Sequence, residues 1–401
     1  MPSFREAQFR HAKHYLATLI RADALYQRGH GFLQPGISLF DSEWANIQAG
    51  SAWASNLVNT DRAASSISSD YATAGVRLLH LRRHPHESIG WLEEGLLAAR
   101  TLGDRPAEVR HLIGLGLSYR LLGEARVALG LYNEALELAR IANDRVGEEA
   151  VLGNIGNTYF FLGDSRRAIE FYEQNLMRAR AIGNQKNEGA ALNNLAASYS
   201  ALGQVREAVK LYNRALKIFV KLGDLHSESI ALHGLGWAHV ELENFAVAIR
   251  LYAHVLTISR ELGDLRGEAD ALGNMGIIFA KVGDLRHATE LFQAQLAMSR
   301  QGGDRYGEGK ALGNLGLMKA NSGESQSAVE YYRQQLAVSQ DIGDKHGEGT
   351  ALFNMGLAIY VAGNRLEAVN LAESALKVFE SINDPNSSSV REQLDEWRAE
   401  M

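Results

Sequence analysis

The sequence has no cysteine among its 401 residues. Disulfide bonds and thiolate chemistry are therefore excluded, and the composition fits a reducing compartment, so we expect a cytoplasmic protein. Long apolar runs are also missing, since none approaches the ~18 residues that predict a membrane-spanning helix. The N-terminal stretch carries charges throughout and has no apolar segment, which argues against a signal peptide.

Charge of one sign is not concentrated in any part of the sequence. There are 41 basic and 47 acidic residues, and the net charge of −6 is spread along the length. Nucleic acids and anionic membranes are bound by clustered lysine and arginine. We therefore expect neither of them as a partner.

Motifs for cofactors, metals and catalysis are equally scarce. The glycine-rich stretch 302–310 lacks the spacing of a phosphate-binding loop. His80, His84 and His86 are close in sequence, but no cysteine or carboxylate completes an obvious metal-binding set. No nucleophile, base and acid can be assembled from neighbouring residues. We expect no cofactor, no metal site and no catalytic residue, and hence a protein that is not an enzyme.

What the sequence does have is a repeat with a period of 40 residues. One leucine of the repeat recurs without a shift in register at Leu112, Leu152, Leu192, Leu232, Leu272, Leu312 and Leu352. A glutamate, an alanine and a second leucine recur equally strictly. A period of this length is typical of a stacked repeat protein, which usually presents a binding surface rather than a reaction site.

Residues 144–183 represent the repeat. Leu152, Ile155 and Tyr159 are spaced as on one face of a helix. A Gly-Asp pair that begins at Gly163 ends this first helix, and a second stretch of helical spacing follows until the next glycine. Each repeat is therefore predicted to be a first and a second helix, packed antiparallel.

Three further positions of the repeat indicate how it packs. Glu148 lies in the first turn of the first helix, where the helix dipole favours an anion, and we interpret the glutamate series as capping rather than ligand contact. Gly156 and Ala168 recur through the array as small residues. Small residues predict a close approach of the two helices of a repeat.

This pattern resembles the tetratricopeptide repeat. The residues that carry the resemblance are Leu152, Ile155, Gly156 and Tyr159, followed by Ala168 and Tyr172. The 40-residue period resembles the long-repeat subtype of the Pins/LGN polarity adaptors and of many bacterial proteins. The resemblance implies an all-α fold, a right-handed superhelical solenoid of antiparallel helix pairs. Residues 64–383 hold eight such units, the first of them degenerate.

The two ends of the sequence are predicted to be helical as well. Residues 384–401 form a C-terminal capping helix, which Ser388 or Ser389 can N-cap, with its apolar stripe over the last repeat. Residues 1–63 contain a helix over 4–28 and another over 39–58. This opening segment resembles the helical lead-in of the repeat arrays of bacterial STAND-type signalling ATPases, and it is equally compatible with an N-terminal cap.

The most informative polar residues lie on the first helices. An asparagine stands two residues before the small glycine or alanine in five units, and we call this set the amide ladder: Asn154, Asn194, Asn274, Asn314 and Asn354. In tetratricopeptide arrays this face lines the concave groove. An amide carries donors and an acceptor and can therefore bind the backbone of an extended peptide. The alternative is that each asparagine bonds a neighbouring helix or its own backbone.

Residues beside the amide ladder are predicted to set the specificity of the groove. The candidates are Arg110, Asn157, Asn193, His233, Trp237 and Lys310. They differ from the dicarboxylate clamp of chaperone-binding tetratricopeptide domains, because Ile113, Leu117 and Gly153 occupy clamp positions.

The leading functional hypothesis is a non-enzymatic scaffold that holds an extended segment of a protein or peptide partner in the groove. The alternative is the sensor and oligomerisation array of a larger STAND-type signalling ATPase, with self-association through the terminal helices. A third hypothesis is a regulatory protein whose array folds around a partner domain. The sequence does not identify the ligand.

Overall fold

The computed structural model describes residues 3–27, 33–82 and 85–400, and the only regular secondary structure in these ranges is α-helix. The prediction of an all-α fold built from helix pairs is confirmed. None of the described helices is both long and apolar enough to span a membrane.

The protein forms two compact units, Met1–Gly223 and Asp224–Met401. The first contains α1 (Phe4–Gln27), α2 (Leu33–Ser55), α3 (Arg62–Arg82), α4 (Pro85–Leu102), α5 (Arg105–Leu121), α6 (Ala125–Ile141), α7 (Arg145–Phe161), α8 (Ser165–Ile182), α9 (Gln185–Ala201) and α10 (Val205–Leu222). The second contains α11 (Leu225–Glu241), α12 (Phe245–Leu262), α13 (Leu265–Lys281), α14 (Leu285–Gly302), α15 (Arg305–Asn321), α16 (Ser325–Asp341), α17 (Lys345–Val361), α18 (Arg365–Ser381) and α19 (Asn386–Ala399). The division into 1–63, 64–383 and 384–401 stays a prediction.

Asp and Gly residues set the ends of the helices. The Asp144 carboxylate accepts a hydrogen bond from Gly147 N at 2.9 Å and so caps α7. Gly183 ends α8 with a φ of +73°, which glycine adopts without steric cost. The side-chain cap recurs at the start of the first helices, at Asp104, Asp144, Asn184, Asp224, Asp264, Asp304 and Asp344.

Close packing of small residues against aromatic rings forms the core of each repeat. A Cβ atom on Gly156 would lie 2.6 Å from Tyr172 Cε1 of the following helix. The alanine of the second helix is fully buried in each of the seven repeats that follow the degenerate one, at Ala128, Ala168, Ala208, Ala248, Ala288, Ala328 and Ala368. The close approach that the small residues predicted is therefore present.

In five repeats the recurring glutamate links the first helix to the second helix before it. Arg140 Nε lies 3.2 Å from Glu148 Oε1, and Arg178 Nη2 lies 2.7 Å from the other oxygen of the same carboxylate. Pairs eight residues apart recur as Arg100–Glu108, Arg180–Glu188, Arg260–Glu268 and Arg300–Glu308. These ion pairs support a structural role for the glutamates.

The buried face of α1 is formed by leucines and alanines. Leu16 and Leu19 are buried together with Ala12 and Ala22, whereas Ile20 is 51% exposed. Small residues suit this contact because α2 crosses closely at Gly36, where a Cβ atom would lie 2.7 Å from Ala22 O. Arg28, at the predicted end of α1, lies outside the described residues.

The C-terminal helix covers the last repeat with Val390, Leu394 and Trp397, all of which are buried. Its predicted serine N-cap is wrong. The helix begins at Asn386, so both serines lie inside the first turn, and Asp384 Oδ1 instead accepts from Asn386 N at 2.9 Å.

Candidate functional site

In both units the first helices of successive repeats contact one another. The contacts join α3 to α5, α5 to α7 and α7 to α9 in the first unit, and α11 to α13, α13 to α15 and α15 to α17 in the second. Within the described residues, the second helices of successive repeats have no comparable contact. The layers of each unit are therefore closest together along their first helices, which form the inner side of the stack.

In the first unit the amides are partly engaged by the array itself. Asn154 Nδ2 donates to Ala150 O of its own helix at 2.9 Å. Asn194 Nδ2 donates to Asn157 Oδ1 of the preceding first helix at 3.2 Å, and the Tyr172 hydroxyl donates to the same oxygen at 2.7 Å. Asn157 is thus the centre of a small network that joins α7, α8 and α9.

A cavity of 470 Å³ opens beside this network. Its lining includes Arg120 from α5, Phe160 and Phe161 from the end of α7, and the Asn157, Asn194 and Tyr172 side chains. Phe160 is 38% exposed and Phe161 is 61% exposed, so an apolar wall remains available to a partner.

In the second unit one ladder amide bonds a histidine. Asn274 Nδ2 lies 2.8 Å from His233 Nε2. Since an amide nitrogen only donates, the histidine accepts through Nε2. Asn314 and Asn354 are half-buried, and neither side chain has a hydrogen-bond partner among the described residues.

The same histidine borders a second cavity, of 240 Å³, between α11 and α13. Burial lowers the pKa of His233, the nearby charge of Lys310 lowers it further, and Asp270 opposes both. The imidazole is therefore neutral at pH 7, in agreement with its role as an acceptor. The cavity is also lined by His226, Arg266 and Asp270, so its surface carries both signs of charge.

The other predicted residues are not among those that line these two cavities. Trp237 is 40% exposed and donates from Nε1 to Glu241 at 3.2 Å. Lys310 is exposed, with Nζ 5.5 Å from the centre of the Tyr306 ring. Arg110 is exposed on α5, and Asn193 has a buried Oδ1 that finds no partner among the residues that the structure describes.

Sequence reasoning missed Arg120 and the phenylalanine pair. The residues at the position of Arg120 in the other repeats are His80, Phe160, Ser200, Val240, Ala280, Ala320 and Tyr360. Arg120 is the one arginine or lysine at this position of the repeat, and that was the available signal.

Of the histidines near position 80, His80 is half-buried and His86 is exposed. His80 Nε2 lies 2.7 Å from Ser118 Oγ, and His84 lies outside the described residues. Over the described ranges there is no group of three His, Cys, Asp or Glu side chains arranged to hold a metal ion.

Comparison with known families identifies the repeat. Models of the tetratricopeptide repeat match residues 150–181, 187–261, 271–306 and 307–381, together more than half of the sequence. The protein belongs to the tetratricopeptide-repeat family. No curated protein sequence matches it significantly.

Solved structures with the same fold are distant in sequence. The apo form of the quorum sensor NprR from B. thuringiensis aligns with a TM-score of 0.60 at 16% identity, over 94% of this protein and 100% of that one. A STAND signal-transduction ATPase with a tetratricopeptide repeat sensor from Pyrococcus horikoshii gives 0.59 at 13%, over 88% of this protein and 54% of that one. A Rap protein complexed with competence and sporulation factor gives 0.52 at 14%, over 85% and 99%.

Proposed function

We propose that this protein is a non-enzymatic scaffold that binds an extended polypeptide segment on the inner, first-helix face of its repeats. The observation that carries the proposal is the incomplete use of the ladder amides. Asn194 and Asn274 each donate one N–H to another side chain of the array, while Asn314 and Asn354 donate none to the described residues. An amide has two N–H donors and an acceptor oxygen, so most of its capacity is left for a ligand.

The internal hydrogen bonds support this role because they hold the amides in place. The bonds from Asn194 to Asn157 and from Asn274 to His233 connect successive first helices. A preorganised amide loses less conformational freedom when a ligand binds. The alternating donors and acceptors of an extended backbone match a row of such amides.

The distant relatives support binding as the general activity. The Rap protein was solved in complex with competence and sporulation factor, and NprR is described as a quorum sensor. From these proteins we infer only that the repeats of this protein bind a ligand. The cytoplasm is the compartment that we propose, since the sequence lacks cysteine.

The test uses an array of immobilised peptides of about ten residues, each ~33 Å long when extended. The wild-type protein and an Asn274→Ala/Asn314→Ala variant are titrated on the peptides that bind. Each lost amide contact is worth about 0.5–1.5 kcal/mol, so affinity should fall roughly five- to a hundredfold if the effects add. The fold should persist, because alanine is the better helix former.

A matched control removes two amides from second helices. Asn213 and Asn370 are exposed on α10 and α18, and Asn213→Ala/Asn370→Ala should leave peptide affinity unchanged. Equal losses in both variants, or no peptide binding by the wild-type protein, would refute the proposal.

The STAND-like sensor array is the second candidate, supported by the fold shared with the Pyrococcus horikoshii protein. In that role the repeats would sense a ligand for an attached ATPase, and the terminal helices would take part in self-association. A nucleotide-switch ATPase encoded directly upstream would favour this candidate.

A further inference from the structure

Arg120 is a cation without a counterion among the described residues. It is half-buried, its Nε atom is fully enclosed with no hydrogen-bond partner, and no carboxylate of those residues pairs with it. A buried charge is unfavourable unless it is paired. The position of Arg120 on the cavity of the first unit suggests that the missing partner comes from another molecule.

The aromatic residues around Arg120 do not compensate its charge. Tyr132 is fully buried, and burial raises the pKa of its phenol to about 12, although the charge of Arg120 and the polar contact of its guanidinium with the phenol oppose the rise. Burial also raises the pKa of Tyr172 well above its usual value, again against Arg120. Both phenols are therefore neutral at pH 7.

The amide network adds donors to the same cavity. Asn157 Oδ1 already accepts two hydrogen bonds, from Tyr172 and from Asn194, which uses both of its lone pairs. The Asn157 NH₂ group makes no hydrogen bond to any residue that the structure describes, so it has two N–H donors to offer. The cavity thus combines a guanidinium with amide donors, and the acceptors that remain are Asn194 Oδ1 and the Tyr172 oxygen.

We propose that this cavity is a carboxylate-binding subsite of the first-helix face. A carboxylate of the bound segment pairs with the Arg120 guanidinium and accepts a hydrogen bond from Asn157. An apolar residue next to it on the segment packs against Phe160 and Phe161, which are exposed beside the cavity. This inference rests on the proposed function and adds the class of ligand: an acidic residue, or the C-terminal carboxylate of the segment, beside an apolar residue.

The chemistry favours a carboxylate because a planar guanidinium and a planar amide present N–H donors in the geometry that two carboxylate oxygens accept. Water is also largely displaced from a half-enclosed pocket, so the pair is less screened than an ion pair on the open surface.

The experiment uses peptide pairs from the same array that differ in one group. One set exchanges Glu for Gln next to a Leu, and the other exchanges a C-terminal acid for an amide. Wild-type protein should prefer the acid member by about tenfold or more, as expected for a charge-assisted bond in a shielded site. If the Glu/Gln set shows the preference, the ligand group is a glutamate carboxylate; if the acid/amide set shows it, the ligand group is the C-terminal carboxylate.

Two variants separate charge from packing. Arg120→Met keeps the length of the residue and should abolish the preference for acid while Gln peptides still bind, whereas Arg120→Lys should retain part of it. Circular dichroism confirms that each variant is folded. Peptide binding without a preference for acid, or a preference that survives Arg120→Met, overturns this inference and leaves the proposed function standing. Absence of peptide binding by wild-type protein removes both.

Discussion

Gly316 and Tyr332 pack so closely that a Cβ atom on Gly316 would lie 2.6 Å from Tyr332 Cε1. The ring is 2% exposed and is enclosed by its neighbours, so it has little room to move away. The same relationship recurs sixteen residues apart at Gly116–Tyr132, Gly156–Tyr172, Gly236–Tyr252 and Gly276–Phe292. In each of these repeats, the glycine of the first helix thus allows an aromatic ring of the second helix to pack against the backbone of the first.

Gly316→Ala should therefore destabilise the protein although alanine favours helices. We expect a loss of about 1–3 kcal/mol from overpacking. Gly130→Ala is the control, since Gly130 is exposed on α6 with open space around it, and it should gain up to ~1 kcal/mol. Urea unfolding followed by circular dichroism measures both. A Gly316→Ala protein as stable as Gly130→Ala would show that the ring adapts.

Glu243 adopts a backbone conformation that suits glycine. Its φ is +58°, and the matching residues of other repeats include Gly163 at +77° and Gly203 at +74°. Glu243→Gly should raise stability by roughly 1 kcal/mol, because a Cβ atom in the left-handed region costs about 1–2 kcal/mol. Glu243→Ala keeps a Cβ atom and should give no such gain. Thermal midpoints of the two variants distinguish relief of strain from loss of the Glu carboxylate.

His111 should make stability depend on pH. The imidazole is 1% exposed, its Nε2 lies 2.9 Å from Ser69 Oγ, and burial lowers its pKa from 6.5 to about 4, helped by Arg110 and opposed by Asp104. Above pH ~6.5 both the folded and the unfolded protein hold a neutral imidazole, so the shift has no effect there. Between pH ~6.5 and ~4 only the unfolded protein takes up the proton, which removes roughly 3 kcal/mol of stability.

His111→Gln tests this because glutamine does not titrate. Unfolding midpoints of the variant should fall less between pH 7 and pH ~4 than those of the wild-type protein, while His80 and His233 contribute equally to both. Parallel pH profiles would mean that His111 is not the group responsible.

Removal of residues 386–401 should expose the end of the core. Trp397 stacks on Tyr360 with ring centres 4.4 Å apart and planes inclined by 6°, and Val390 and Leu394 are buried beside it. Without this cover the last repeat presents an apolar face, so we expect aggregation in light scattering.

Trp397→Ala should lower the free energy of unfolding by about 3–5 kcal/mol, whereas Glu392→Ala, on the exposed side of α19, should leave it unchanged. A truncated protein that stays monomeric and equally stable would contradict the assignment.

The fold was predictable because its determinants are local in sequence. The cap at Asp144, the turn at Gly163 and the buried Ala168 each act within one repeat and recur with its period. The site was predictable only in part. The bond from Asn194 to Asn157 spans 37 residues and depends on how one first helix packs on the next. No other repeat has an arginine or lysine at the position of Arg120, so periodicity could not reveal its role.

The contacts that form the array reach over short stretches of sequence. Within a repeat they span three residues from Asp144 to Gly147 and sixteen from Gly156 to Tyr172, and between two repeats they span eight residues from Arg140 to Glu148. Each repeat therefore contains the residues that make its own contacts, and the surfaces at its two ends are complementary to those of any neighbouring repeat of the same kind. An in-frame duplication or deletion of one repeat in the gene would add or remove a layer without new contacts having to evolve. Under the proposed function, copying units would change the number of ligand residues that the array contacts, and single positions such as 120 could be refined afterwards.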